Sequence, residues 1–243
     1  MKILDELGAV SVNELYHRLP VSRETIRRDL AQLAALQKLR KTHGGALAMN
    51  QSEPAFAERL GTNIRGKQAI GRMAARLVPD GASLMINSGT TALCLADALG
   101  SRERLVVYTN DIHVAGRFAG NNGNRVVLLG GELQGAEGAT LGRDTMDCLS
   151  NYFADFCFVG ASALNAEPLL SDFSRDQAAF HAAMIGHARI PVLLIDHTKF
   201  DKRAPVRVAN LDKIRHLVTD RRMGKTLSRS IEMLKIDVQI ARN

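Results

Sequence analysis

The feature that most constrains this chain is a series of short apolar runs that fills it from Lys67 onward and alternates with stretches of helical length. Such nearly continuous apolar runs are typical of strands buried on both faces of a sheet, and the stretches between them are long enough for parallel crossovers. The predicted strands are SLMI (83–86), LVVY (105–108), VVLL (126–129), FCFV (156–159), VLLI (192–195) and HLVT (216–219). The predicted helices are 71–77, 92–99, 112–119, 145–152 and 177–188. The sequence therefore predicts an α/β domain with a mostly parallel sheet.

The first third of the chain differs in pattern and in charge. Residues 1–47 are rich in Leu and Arg and predict three short helices. The first 76 residues contain 13 Lys or Arg and 7 Asp or Glu, so they carry six of the seven units of formal net charge. A basic module beside a nearly neutral body is typical of nucleic-acid binding, with a solvated basic face as the alternative. We divide the chain into residues 1–50, a linker at 51–66 and a body at 67–243.

Two helix starts are visible in the N-terminal module. Ser11 and Glu14 have the spacing of a capping box, which predicts a helix from Val12. Ser22 is placed to cap a second helix, predicted to run from Arg23 to about Gln37. Two helices joined by so short a turn, with a polar and basic face near the start of the second, are typical of a helix-turn-helix.

The second helix and the segment after it carry the candidate contacts to DNA. Ile26, Leu30 and Leu33 form an apolar stripe, and the opposite face has the short polar and basic side chains that a major groove admits. A solvated helix with an ordinary Glu24–Arg28 pair is the alternative. The basic segment that follows ends in a glycine pair able to turn a β-hairpin, and it predicts either a wing that reaches phosphates or a plain connector. The candidate DNA-contacting residues are Ser22, Arg23, Glu24, Thr25, Arg27, Arg28, Gln32, Arg40, Lys41 and His43.

Polar loops follow five of the predicted strands. In an open α/β sheet, ligands bind beyond the carboxyl ends of the strands. Residues 88–91 would place amides and hydroxyls at a helix N-terminus as a phosphate cradle, Lys199 would add a positive charge, and Asp196 would accept sugar hydroxyls. Ordinary turn chemistry is the alternative for each loop. The candidate ligand-binding residues are Asn87, Ser88, Gly89, Thr90, Thr91, Thr109, Asn110, Gly130, Gly131, Glu132, Gly160, Asp196 and Lys199.

Cysteine usage and hydropathy narrow the class of protein. No stretch approaches the roughly 20 apolar residues that span a bilayer. Cys94, Cys148 and Cys157 lie in apolar surroundings without C-x-x-C spacing, which predicts small buried side chains in a reducing compartment. The histidines show no spacing typical of a metal site. We therefore expect a cytoplasmic protein that uses no metal and no cofactor and contacts no membrane.

Two sets of motifs carry a family resemblance. TIRRDL (25–30) followed by HGGA (43–46) closely resembles the signature of the DeoR family of bacterial sugar-metabolism repressors, and SGTT, VYTN, LLGGEL, VGAS and DHTKF stand in the order found in the sensor domains of that family. The resemblance implies a winged helix-turn-helix that reads double-stranded operator DNA. It also implies an α/β sensor domain for a phosphorylated sugar or polyol, similar in fold to ribose-5-phosphate isomerase and to CoA transferases. We expect a homo-oligomer, a dimer or tetramer, because symmetric DNA sites and two-fold protein symmetry go together.

Three positions depart from the family pattern. Asn87 stands where the family usually has Asp, and Gln177 and His181 stand where it more often has Glu and Lys. If the charged residues help to bind or sense the effector, these departures predict a different ligand or a weaker response. His181 itself is expected to be a surface or capping histidine.

The rival class of function is a sugar-phosphate isomerase-like enzyme, since fold does not determine function. Such an enzyme needs a positioned general base with a matched partner. Glu132, Asp196 and Lys199 are the nominated groups, and nothing in the sequence pairs them. An enzyme also has no use for a basic N-terminal module. We therefore predict a repressor that is not an enzyme.

Overall fold

The computed structural model describes residues 3–4, 9–36, 38–42, 44–48, 53–167 and 170–242. Its N-terminal module consists of β1 (Ala9–Ser11), α1 (Val12–Arg18), α2 (Arg23–Ala35), β2 (Leu39–Thr42) and β3 (Gly45–Ala48). The strands form an antiparallel sheet in the order β1-β3-β2, so the predicted hairpin is confirmed. Ile3 and Leu4 are helical, and the rest of the first predicted helix lies outside the described residues.

A small apolar core holds the module together. Leu15 of α1 packs with Ile26 and Leu30 of α2 and with Leu39 of β2, and all four are buried. The predicted capping box is present, because the Glu14 amide donates to Ser11 Oγ and the Ser11 amide donates to Glu14 Oε2. The caps determine where the helices begin, and the apolar stripe determines which face of α2 is buried and which is exposed.

The segment predicted to be a linker contains helix. Phe56–Gly61 forms α3, and α4 runs from Ile64 to Ala75, well before the predicted start at residue 71. The local sequence gives no signal for the start of α4. Its N-cap residue, Asn63, has a left-handed backbone conformation, and its side chain makes no capping hydrogen bond. The N-terminal half of α4 is instead stabilised by burial of Gly66, Lys67 and Ala69 against the body.

The body is built on a seven-stranded sheet in the order β15-β14-β12-β9-β4-β5-β6, with every pair parallel. Its strands are β4 (Ser83–Ile86), β5 (Val106–Thr109), β6 (Arg125–Leu128), β9 (Ala154–Val159), β12 (Ala188–Leu194), β14 (His216–Thr219) and β15 (Asp237–Ile240). The predicted α/β class and all six predicted strands are thereby confirmed. The prediction missed β15, because DVQI lies at the edge of the sheet and has the alternating pattern of a half-exposed strand.

Helices cover both faces of the sheet and create two apolar layers. Besides α4, they are α5 (Thr90–Ala98), α6 (Ile112–Phe118), α7 (Arg143–Ser150), α8 (Arg175–Gly186) and α9 (Lys225–Met233), of which α9 was not predicted. Two small antiparallel sheets stand beside the main one, formed by β7 (Glu132–Gln134) with β8 (Ala139–Leu141) and by β10 (Ala163–Leu164), β11 (Leu170–Asp172) and β13 (Val206–Arg207). Cys94 and Cys157 are buried as expected, whereas Cys148 is only partly buried.

The close approach of α4 and α5 depends on Gly71. A Cβ at this position would lie 2.5 Å from the carbonyl oxygen of Cys94 and 2.7 Å from its carbonyl carbon. Backbone atoms of a packed helix cannot move aside as the end of a long side chain can. The two helices therefore pack in this way only with glycine at position 71.

Replacing Gly71 with Ala is expected to lower the free energy of unfolding by roughly 1–3 kcal/mol through overpacking. Gly116→Ala is the matched control, because Gly116 is an exposed position within α6 and its added Cβ meets nothing within 4 Å. That change should raise stability by up to about 1 kcal/mol through helix propensity. Urea unfolding of both variants measures the difference, and equal effects would contradict the role of the α4–α5 contact.

Candidate functional site

The outer face of α2 is open to solvent. Glu24, Arg27, Arg28 and Gln32 are exposed, and Thr25 is partly buried while its amide donates to Ser22 Oγ. Within the described residues Glu24 and Arg28 form no ion pair, so the pair weighed as an alternative does not occupy this face. Arg27 and Arg28 extend from the N-terminal half of the helix, and neither has an ion-pair partner among the residues that the structure describes.

Arg23 differs from the other two arginines of α2. Its Nη2 donates to Asn13 Oδ1 at 2.7 Å, and its guanidinium carbon lies 4.8 Å from the centroid of the Tyr16 ring. These contacts hold the side chain against α1, so that it fixes the angle between the two helices as well as presenting charge. In the hairpin, Lys41 is exposed, whereas the side chain of Arg40 and all of His43 lie outside what the structure describes.

A polar cavity lies beyond the carboxyl ends of β4, β9 and β12, three adjacent strands at the centre of the sheet. Three of the five predicted loops meet there. The predicted residues that line the cavity are Asn87, Ser88, Gly89, Thr90, Thr91, Gly160, Asp196 and Lys199. Residues 88–91 lead into α5, so that the first turn of this helix presents its amides to the cavity.

The other two predicted loops lie outside the cavity lining. Thr109 and Asn110 are completely buried, and the Asn110 side-chain amide donates to the carbonyl of Thr140. Gly131 packs against Thr145 with a φ of +127°, a backbone conformation that favours glycine, and Gly130 accepts from the Thr145 hydroxyl. Glu132 is exposed on β7. These loops follow β5 and β6 toward one edge of the sheet, which separates them from the centre.

The cavity also contains polar residues that were not predicted to bind ligand. They are Glu53, Arg59, Lys67, Glu137, Ser162, Asp172, Gln177 and His181. The sequence carried a signal for Gln177 and His181, because both depart from the family pattern. It carried no signal of cavity lining for Glu53 and Arg59, since both belong to the segment assigned to the linker.

A chain of hydrogen bonds forms the floor of the cavity. Asp172 Oδ2 lies 2.8 Å from His181 Nδ1, and His181 Nε2 lies 2.8 Å from Asn87 Nδ2. The amide of Gly160 donates to Asn87 Oδ1 at 3.2 Å, which fixes the orientation of the Asn87 side chain. With Asn87 held in this orientation, its Nδ2 faces Nε2 of His181, and the other ring nitrogen of His181 faces the Asp172 carboxylate.

The expectation that His181 is a surface or capping histidine is therefore wrong. Its side chain is buried, as are those of Asn87 and Asp172. Burial raises the pKa of Asp172, but the interaction and hydrogen bond with His181 and the bond from the Ser162 amide outweigh it and hold the pKa below its ordinary value. Two of the three family departures, Asn87 and His181, are thus direct partners in one buried network.

Two lysines bring positive charge into the cavity. Burial lowers the pKa of both Lys67 and Lys199, and Asp196 offsets this effect in each case. Asp196 also caps the short helix after β12, because its Oδ1 accepts from the Thr198 amide at 2.9 Å. Desolvated ammonium groups beside a helix N-terminus form an arrangement that favours a phosphate or another compact anion.

The segment before the body closes one side of the cavity. Arg59 of α3 pairs with Glu53 at 2.8 Å and with Glu137 of the loop between β7 and β8. Lys67 Nζ donates to the Arg59 carbonyl, and Gln177 Nε2 donates to Glu53 Oε2 at 3.1 Å. We call residues 53–59 the strap. Every charged side chain that it places in the cavity has an oppositely charged or hydrogen-bonded partner.

None of the described helices is long and apolar enough to cross a bilayer. Among the same residues, no three His, Cys, Asp or Glu side chains are grouped as they would be around a metal ion.

Asp172→Asn tests the floor of the cavity, because an asparagine cannot accept from both the Ser162 amide and His181 Nδ1. We expect a loss of about 1–3 kcal/mol in the free energy of unfolding at pH 7. The loss should shrink as the pH falls below about 4, since a carboxyl with a depressed pKa stabilises the fold above its unfolded pKa and ceases to do so as the pH falls through its folded pKa. Chemical unfolding measured against pH checks this, with the exposed Asp176→Asn as control. A loss independent of pH would contradict the network.

Comparison with known proteins gives relatives over nearly the whole chain. A glycerol-3-phosphate regulon repressor of Haemophilus influenzae is 34% identical over 90% of this chain and 86% of its own length. The Escherichia coli protein of the same name is 32% identical over 90% and 88%. Among solved structures, ribose 5-phosphate isomerase A of Methanocaldococcus jannaschii has a TM-score of 0.42 at 19% identity, covering 57% of this chain and about half, 55%, of its own. That likeness is too slight to carry an argument.

Two family descriptions match the two parts of the chain. Residues 1–52 match the DeoR-like helix-turn-helix domain, and residues 62–221 match the DeoR C-terminal sensor domain. The first match spans α1, α2 and the hairpin, and the second spans the strands whose ends form the cavity. The chain belongs to the DeoR family of transcriptional regulators.

Proposed function

We propose that this protein represses a sugar or polyol catabolic operon and that a phosphorylated sugar or polyol in the cavity releases it from its operator. Residues 1–50 would bind DNA, residues 51–66 would connect, and residues 67–243 would sense the effector. The observation that carries the proposal is the exposed face of α2, on which Arg27 and Arg28 have no partner in the described residues. The repressor names of the relatives support it.

The cavity supports a phosphorylated effector. Its polar loop at the start of α5 and the two desolvated lysines suit one compact anion, while amide, imidazole and carboxylate groups line the remainder and suit hydroxyls. A thermal-shift screen against phosphorylated sugars and polyols is the direct test, because a ligand that binds only the folded state raises the melting temperature.

The cavity is connected to the DNA-binding module in two ways. The first is along the chain, because the strap lies between the module and the body in sequence and its Glu53 and Arg59 line the cavity. Arg203, four residues after Lys199, pairs through Nη1 with Glu14 Oε1 of α1 at 2.6 Å. We propose that effector binding shifts these contacts, and that a homo-oligomer places two or more modules on repeated half-sites.

We propose further that the cavity binds its ligand without converting it. Of the three groups nominated for an enzyme, Glu132 is exposed outside the cavity lining, while Asp196 and Lys199 line the cavity. Asp196 is engaged as a helix cap, because it accepts from the Thr198 amide. Nε2 of His181, the obvious site for a base, faces Asn87 Nδ2. Isomerisation assays with sugar phosphates should detect no turnover, and measurable turnover would overturn this part of the proposal.

Replacing Arg27 or Arg28 with Ala should weaken operator binding by about 1–3 kcal/mol if that side chain makes a bidentate base contact. Fluorescence anisotropy at fixed salt measures it, with DNA selected from a random-sequence pool. Arg125→Ala, which removes an exposed arginine from β6, is the control. Unchanged affinity in both α2 variants would contradict the role of this face.

Replacing Thr90 or Lys199 with Ala should leave DNA affinity nearly unchanged and raise the effector concentration needed for release at least about tenfold, because a lost charged hydrogen bond to a ligand costs about 1.5–3 kcal/mol. Titration of the effector into the protein–DNA complex measures it. Lys213→Ala removes an exposed lysine and serves as control. Wild-type release by the double variant would show that the phosphate site is misplaced.

A further inference from the structure

We propose that Gln177 determines the specificity of the cavity, accepting through Oε1 a hydrogen bond from a hydroxyl of the effector. The cavity then takes a phosphate ester whose other end is a neutral polyol and rejects the corresponding sugar acid. This inference rests on the proposed function, since it assigns a chemical class to the effector of that site. It concerns the one family departure that the buried floor network leaves unexplained.

The orientation of the Gln177 side chain follows from its partner. Nε2 donates to Glu53 Oε2, and an ionised carboxylate only accepts, so the amide nitrogen faces Glu53 and Oε1 faces away from it. Oε1 is enclosed, and within the described residues it has no hydrogen-bond partner. A buried acceptor without a donor is costly, so this atom is placed for a donor that the ligand brings.

The neighbouring groups offer nothing to a second anion. His181 follows Gln177 by one helical turn on α8, and its imidazole is engaged on both sides by Asp172 and Asn87. Asn87 itself is held by Gly160. The floor beside Gln177 is therefore a surface whose polar groups already bond to one another, with a carboxylate behind it.

The arginine of the cavity is already matched by carboxylates, and its two lysines share one carboxylate. Arg59 is paired with both Glu53 and Glu137, and Lys67 and Lys199 share the influence of Asp196. The amides and hydroxyls of residues 88–91, at the start of α5, suit a single phosphate. A carboxylate at the far end of the ligand would meet Glu53 and the Oε1 acceptor, and both repel it.

The test is calorimetric titration of the full-length protein with matched pairs of ligands. The pairs are glycerol 3-phosphate with 3-phosphoglycerate, erythritol 4-phosphate with 4-phosphoerythronate, and sorbitol 6-phosphate with 6-phosphogluconate. Inorganic phosphate reports the phosphate site alone. In at least one pair, the polyol ester is expected to bind at least about tenfold more tightly than its acid, and more tightly than inorganic phosphate.

Gln177→Met keeps the length of the side chain and removes the amide, both its donor nitrogen and its acceptor oxygen. It should weaken binding of the preferred polyol ester about tenfold and leave the affinity for inorganic phosphate unchanged. Gln68→Met makes the same substitution at an exposed position of α4 and should change neither affinity. Melting temperatures of the unliganded variants show that both fold.

Three results would overturn the inference while leaving the proposed function intact. They are acids that bind as tightly as their polyol partners in all three pairs, no polyol ester that binds better than inorganic phosphate, and an unchanged ester affinity in Gln177→Met. If neither inorganic phosphate nor any ester binds, the proposed phosphate-sensing function fails, and the role of Gln177 fails with it.

Discussion

The pairing of β9 with β4 on one side and β12 on the other is the contact on which the rest of the structure depends. Phe158 lies opposite Ile86 in one neighbour and Val192 in the other, and all three side chains are buried. Because the three strands are parallel, their carboxyl ends meet at one edge, and the loops after them must share one space. The cavity is the consequence of this pairing. It lies at the centre of the sheet and not at its margins.

Because this edge of the sheet is buried, the polar side chains there must form hydrogen bonds with one another. Asp172, His181 and Asn87 do so in a single chain that ends on the Gly160 amide, and the depressed pKa of Asp172 reflects the same bonds. A network without spare groups is rigid and presents a defined pattern to a ligand. The replacement of charged family residues by Asn and His fits this logic, because both side chains find their hydrogen-bond partners within the network.

The strap connects the wall of the cavity to the N-terminal module along the chain. Glu53 and Arg59 lie in sequence between the two domains of the family, yet they occupy the wall of the cavity. Coupling between two sites requires that a ligand interact differently with two arrangements of the chain. Ion pairs such as Arg59 with Glu53 and Glu137 are suited to this, since an incoming anion competes directly with the carboxylates that hold them.

Local sequence was sufficient for most of the elements that depend on neighbours along the chain. It determined the capped helices of the N-terminal module, the hairpin after α2, the six apolar strands and the polar loops that follow them, because caps, periodicity and turns act over a few residues. It also carried the family motifs. It did not determine which loops meet, since the loops after β5 and β6 begin with small and polar residues just as those after β4, β9 and β12 do.

Only the tertiary structure decided the order of strands, the burial of His181 and the position of the strap. Strand order separated Thr109, Asn110 and residues 130–132 from the cavity. Asp172 and Asn87, 85 positions apart in sequence, became the two partners of one histidine. These outcomes come from contacts between distant segments, whose free energy depends on how the whole sheet packs, and no pattern within a few residues reports it.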